Sequence, residues 1–200
     1  MSLELVNTFA TLGTFAVITA TAIAAVIQLR HMRGSNQIVA MNELREARET
    51  PEFQLASQLI ADLPVVMRDA AFRYQIANVS ARTDENRPLI DKIGLVGNYY
   101  EAVGILVKAG LVEKSLVLDI WWANTVRDWE RLAPVASILR RQGDEGVWEN
   151  FEYLVFLARE WHAAHPKGTY PAGVPRLAHK DEWLEADQQY AASLAPRNQS

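Results

Sequence analysis

The 200-residue chain contains no cysteine. That excludes a disulfide framework and a thiol nucleophile, and it agrees with a domain facing a reducing compartment. No G-x-S-x-G, Walker loop or G-x-G-x-x-G occurs, so the sequence offers neither a nucleophile elbow nor a phosphate-cradling turn. Glu-x-x-His pairs, the mark of di-iron bundles, are also missing. No stretch alternates with period two for long enough to be a strand. There is no internal repeat and no low-complexity tract. A formal net charge of −4 argues against a nucleic-acid partner, which would need phosphate neutralisation. Finally, no Lys or Arg precedes Arg30.

What is present begins with an uncharged run from Leu5 to Leu29, bounded by Glu4 and by Arg30-His31-Met32-Arg33. As a helix, some 25 residues reach about 37 Å, enough to cross a hydrocarbon core with tilt. The run is expected to pair with the lipid bilayer as a single membrane helix. Its threonines are tolerated because a hydroxyl can bond a carbonyl one turn earlier. Ala16, Ala20 and Ala24 fall four apart, a spacing that lets two such helices associate. A cleaved signal peptide would need a positive segment ahead of the run, which is missing. A buried helix of a soluble bundle is the other alternative. The cations after the run place the N-terminus outside and the C-terminal domain in the cytoplasm, at the cell inner membrane.

The expected organisation is an anchor over 1–33, a helical stalk over 34–49, an all-helical domain over 50–194 and a flexible tail over 195–200. Without the anchor about 165 residues remain, enough for one core. Thr50-Pro51-Glu52 reads as a helix start, with Thr as N-cap and Pro at the first position. Helices are predicted over Pro51 to Asp62, Pro64 to Val79, Leu89 to Ala109, Glu113 to Gln142, Asp144 to His165 and Lys180 to Leu194. Gly94, Gly97 and Gly104 mark close helix contact, and Gly110 suits a C-terminal cap. Pro134 should kink or split its helix. Trp148, Phe151, Leu154, Val155 and Trp161 are the predicted centre, and Trp183, Leu184, Tyr190, Ala191 and Leu194 the inward face of the last helix. The fold class is all-α: one N-terminal membrane helix followed by an irregular helical bundle.

Several tracts together carry a family resemblance. Gln28-Leu29-Arg30 through Ser35-Asn36-Gln37 follows the apolar run, and Pro51-Glu52-Phe53 comes next. Asn98-Tyr99-Tyr100-Glu101-Ala102-Val103-Gly104 and Gly110-Leu111-Val112 lie in the middle of the chain. Trp129-Glu130-Arg131-Leu132 and Glu149-Asn150-Phe151-Glu152-Tyr153 complete the set. The chain resembles a bacterial domain-of-unknown-function family, number four-seven-six-zero. The resemblance implies one N-terminal membrane helix plus a small helical domain, and it implies no activity, cofactor or site residue.

Two constellations are candidates for chemistry. Glu101, Glu130 and Glu152 sit on apolar helices, where paired carboxylates would serve a hydrolase and Arg partners would serve structure. Glu101 is expected to pair with Arg127 or Arg131. His162, His165 and His179 are candidate metal ligands, although a metal needs three or four convergent groups. The reading is a membrane-anchored interaction or scaffold module with a protein partner and no cofactor. The alternative is a membrane-tethered enzyme or effector using the carboxylates or histidines.

Overall fold

The computed structural model describes residues 3–141 and 143–194, with side chains from residue 13 onward. The expected tail over 195–200 lies outside the described residues. Every described helix is right-handed α or a short 3₁₀ turn, and there is no strand among the described residues.

Helix α1, Leu3–Glu49, runs unbroken through Gly34. One glycine in a helix costs about 1 kcal/mol, too little to break a run of good helix formers. From Gly13 to Asn36 every residue is exposed, including Phe15 at 69 % and Ile18 at 61 %. The Thr21 hydroxyl donates to the Val17 carbonyl at 2.8 Å, the back-bond expected of threonine in an apolar helix. The described part of α1 is long and apolar enough to cross a membrane.

Past Gln37 the same helix docks. Leu44 is 8 % exposed and joins the core, with Ala40 and Met41 packed beside it. The Tyr99 hydroxyl donates to the Leu44 carbonyl at 3.1 Å. One edge of the stretch 34–49 thus packs on the domain, while Glu43, Arg45, Glu46 and Glu49 stay exposed. A narrow apolar stripe at three- and four-residue steps suffices when a matching surface faces it.

Thr50 caps α2, Pro51–Leu59, by accepting from the Phe53 amide at 3.2 Å. A 3₁₀ turn leads into the short helix α3, Leu63–Val66, and α4 spans Ala70–Ala77. Helix α5, Arg87–Lys108, ends where Gly110 takes φ +68, a conformation that glycine adopts without a Cβ clash. Helix α6, Lys114–Arg140, continues through Pro134 rather than splitting there. Pro134 lies on the exposed side, so its ring meets solvent and not a packed neighbour.

Helix α7, Glu149–Ala164, packs on both α5 and α6. It starts five residues later than the periodicity suggests. Trp148 sits just before it at φ +55, a left-handed conformation rare for a bulky side chain. The reason is tertiary. The Trp148 indole lies against Gly97, where any Cβ would collide with the ring, and its Nε1 donates to Asn98 Oδ1 at 3.0 Å. Gly104 similarly admits the Asn150 backbone, whereas Gly94 faces open space. Phe151, Leu154 and Ala158 are fully buried, with Val155 and Trp148 nearly so, and Trp161 packs at the edge. Trp148, Phe151, Leu154 and Val155 of the predicted centre are in the core, and Trp161 is only partly buried against it.

Residues 167–194 belong to a second unit, while the first ends at Pro166. The second unit holds α8, Leu184–Leu194, none of whose residues is buried. Trp183, Leu184, Tyr190, Ala191 and Leu194, the expected inward face, are exposed. So short a segment buries too little surface to build a core of its own.

Candidate functional site

The polar centre of the first unit is Asp128, on α6 and 0 % exposed. It lies one turn from both Thr125 and Leu132, so helical periodicity carries it to the inner face. A buried carboxylate must be partnered, and Asp128 has three donors. The Tyr100 hydroxyl donates to Oδ2 at 2.8 Å; Arg127 Nε and Arg131 Nη1 approach Oδ1 at 3.2 and 3.4 Å. The Tyr100 oxygen in turn accepts from Arg48 Nη1 at 2.7 Å. Arg48 belongs to α1, so a continuous chain of hydrogen bonds joins α1 to α5 and α6.

An aromatic series runs alongside. Phe53 and Tyr99 meet edge-on at 4.7 Å, Tyr99 and Tyr100 at 5.2 Å, and Tyr100 stacks on Phe151 at 4.5 Å. Arg48 lies over the Phe53 and Tyr100 rings. Burial raises the Tyr99 hydroxyl to about 12. Burial first, and then the Asp128 carboxylate, push Tyr100 higher still. Burial opposes the Arg48 charge most, but Tyr100, Tyr99 and Asp128 together outweigh it, so the guanidinium is held above its ordinary value.

Arg48 also lines a cleft of about 660 Å³ between α1, α2 and α6. Phe53, Ile120 and Trp121 supply apolar walls, and Arg45 and Glu49 lie at the rim, paired at 3.7 Å. Ser57 lines it too, and its buried Oγ has no hydrogen-bond partner among the described residues. The cleft therefore offers a fixed cation and aromatic surface. It suits recognition of an acidic group joined to an apolar one.

The carboxylates singled out in the sequence have separate partners. Glu101 accepts from the Asn150 and Phe151 amides at 3.0 and 2.9 Å and from Asn150 Nδ2 at 2.6 Å. It thus caps the N-terminus of α7 from a different helix, satisfying two orphan donors. The expected Glu101 pair with Arg127 or Arg131 is absent among the described residues, because both arginines turn to Asp128. Glu152 pairs with Arg140 at 2.7 Å and Glu130 with Arg159 at 3.8 Å. The His162 ring stacks on Trp122 at 4.1 Å, and His165 packs on Trp161. His179 lies in the second unit. No cluster of three or more His, Asp or Glu placed to hold a metal occurs among the described residues.

Asp128 was not singled out from the sequence. An acid repeating in step with Trp121, Thr125 and Leu132 was the available signal.

These features define an all-helical domain built onto a long apolar N-terminal helix. The chain belongs to a domain-of-unknown-function family, DUF4760, whose model matches residues 15–159. The match begins inside the exposed part of α1 and ends inside α7, so it takes in the cleft and the Asp128 network. No curated protein and no solved structure matches the chain.

Proposed function

We propose that this protein is a membrane-anchored recognition module. The carrying observation is the stretch of α1 from Gly13 to Leu29, uncharged and exposed at every residue, on a domain whose own core is complete without it. Water is a poor solvent for Phe15, Ile18, Ile23, Val26 and Ile27 together, whereas lipid is a good one. Arg30 and Arg33 after the run favour the N-terminus outside and the domain inside, at the inner membrane of a bacterial cell. Ala16, Ala20 and Ala24, all exposed on α1, are the face through which two copies would associate.

On this reading the domain works by binding a protein partner in the α1/α2/α6 cleft. Such a partner brings an acidic side chain to Arg48 and an apolar one against Phe53 and Trp121. The support is that Glu101, Glu130 and Glu152 each hold a helix end or an arginine, while Arg48 lines a cavity. Fractionation of cells tests the anchor: full-length protein should pellet with membranes, and deletion through Leu29 should release it. A cytoplasm-dependent reporter fused after Ser200 should be active. Photo-crosslinkers at Gln54 and Gln58 should trap one partner that Arg48→Glu loses and that a crosslinker at Ser80 never traps. Identical adducts from all three positions would refute the cleft.

A further inference from the structure

A second crevice, of about 290 Å³, lies between α1 and the turn joining α5 to α6. Arg33 and Gln37 line it from α1; Glu113 and Lys114 line it from the turn and the start of α6. Arg33 Nη2 donates to the Gly110 carbonyl at 3.4 Å, which fixes the turn beside Arg33. Leu111, at the tip of the turn, is 61 % exposed.

The level of Arg33 along α1 decides what this turn meets. Arg33 is four residues past Leu29, so it stands about 6 Å beyond the end of the apolar run. The headgroup region on each side of a bilayer is roughly 5–7 Å deep. With Leu29 at the edge of the hydrocarbon, Arg33 lies among headgroups, and Gly110, bonded to it, lies there too. The tip of the turn then presents an apolar side chain to the interface. The crevice presents two cations, Arg33 and Lys114, against one acid, Glu113, which accepts from Ser115 Oγ at 2.6 Å.

We propose that the α5–α6 turn is a second membrane contact, with Leu111 entering the interface and an anionic phospholipid headgroup seated between Arg33 and Lys114. The proposal rests on the anchor reading of α1. It goes beyond it, because it holds the domain at one height and rotation on the membrane rather than leaving it to swing from a single helix. The cleft at Arg48 would then keep a fixed distance from the lipid surface, since both sit on one unbroken helix.

The chain has no cysteine, so single cysteines introduced into the full-length protein can carry an environment-sensitive dye without background. Three positions suffice in vesicles of phosphatidylcholine alone or with phosphatidylglycerol: Val17→Cys in the apolar run, Leu111→Cys in the turn, and Ser80→Cys as a solvent control. The dye at 17 should report lipid in both vesicles and the dye at 80 water in both. The dye at 111 should shift to the blue, and further with phosphatidylglycerol, and Lys114→Gln should remove that extra shift. A dye at 111 that reports water while the one at 17 reports lipid would overturn the second contact and leave the anchor standing. A dye at 17 that reports water would overturn both. If glycerol phosphate added in solution abolished the extra shift, a soluble anion would occupy the crevice and the lipid assignment would fall.

Discussion

The exposed half of α1 and helix α7 are both apolar, yet their surroundings are opposite. Phe15, Ile18 and Val26 have no covering, whereas Phe151, Leu154 and Ala158 have no exposure. The difference lies in their ends and in what faces them. Helix α7 starts against a Glu101 carboxylate and a Trp148 ring inserted at Gly97, which fix it on α5, and it packs on α6 as well. The outer half of α1 buries none of its described residues, touching the domain at the Arg33 bond to Gly110, and beyond Gln37 a stripe of small and apolar residues finds α2 and α5. Hydrophobicity alone therefore does not say which of these helices is core. The packing surface offered by other helices does.

Substitutions that remove apolar volume sharpen this contrast most. Phe151→Ala should destabilise the domain by about 3–5 kcal/mol in urea titrations, since it empties a fully buried site. Ile18→Ala, in the same detergent, should change it by under about 0.5 kcal/mol, as for a surface site. Equal effects would mean that the outer half of α1 is packed in the folded protein.

Alkaline unfolding probes the same division, because no tyrosine lies on α1. Tyr99 titrates near 10 when unfolded and is pushed up to about 12 when folded. The folded state holds the proton longer, so this stabilisation is complete below the unfolded value and is lost as pH rises through the folded one. The loss is about 1.4 kcal/mol per pH unit for one tyrosine, about 3 kcal/mol across the window for Tyr99. Tyr100, raised further, extends the loss upward. Circular dichroism against pH should show flat stability to about pH 10 and a steep fall above it. Tyr100→Phe should make that fall roughly half as steep.

Asp128→Asn tests whether the docked half of α1 is tied in by the polar network. Weakening the charge-assisted bonds from Arg127 and Arg131, with the Tyr100 link to Arg48, should cost about 1.5–3 kcal/mol by thermal denaturation. Hydrogen exchange should accelerate at Leu44 to Arg48 and stay unchanged at Leu154. Uniform acceleration would show that the network does not act on α1 selectively. The smallest effect is expected at the start of α7. Both backbone amides already share Glu101 Oε2, so Glu101→Gln can keep that acceptor and loses the charge and the acceptor for Asn150 Nδ2; about 1 kcal/mol should be lost, as for a weakened N-cap. A loss above about 3 kcal/mol would place Glu101 in a buried charge network instead.

Much of this was legible from residue order. The apolar run, the helix start at Thr50-Pro51, the end at Gly110 and the core face of Phe151, Leu154 and Val155 all follow from spacing and local chemistry. The expected Glu101–arginine pair did not hold, since a charge chooses among partners that only packing brings near. For Glu101 the partners were backbone amides on α7, and for Arg127 and Arg131 an acid one turn away or less on their own helix.

By itself, then, the sequence determined an all-helical chain with a long uncharged N-terminal run, because helical periodicity, capping residues and hydropathy act within a few turns. Tertiary structure alone decided that α1 continues through Gly34 into the domain, that Asp128 is its buried polar centre, that Glu101 caps another helix and that 167–194 stands as a separate unit. The partners of Asp128 and Glu101 in particular, Tyr100 for the one and the α7 amides for the other, come from residues tens of positions apart, whose energies no local pattern encodes.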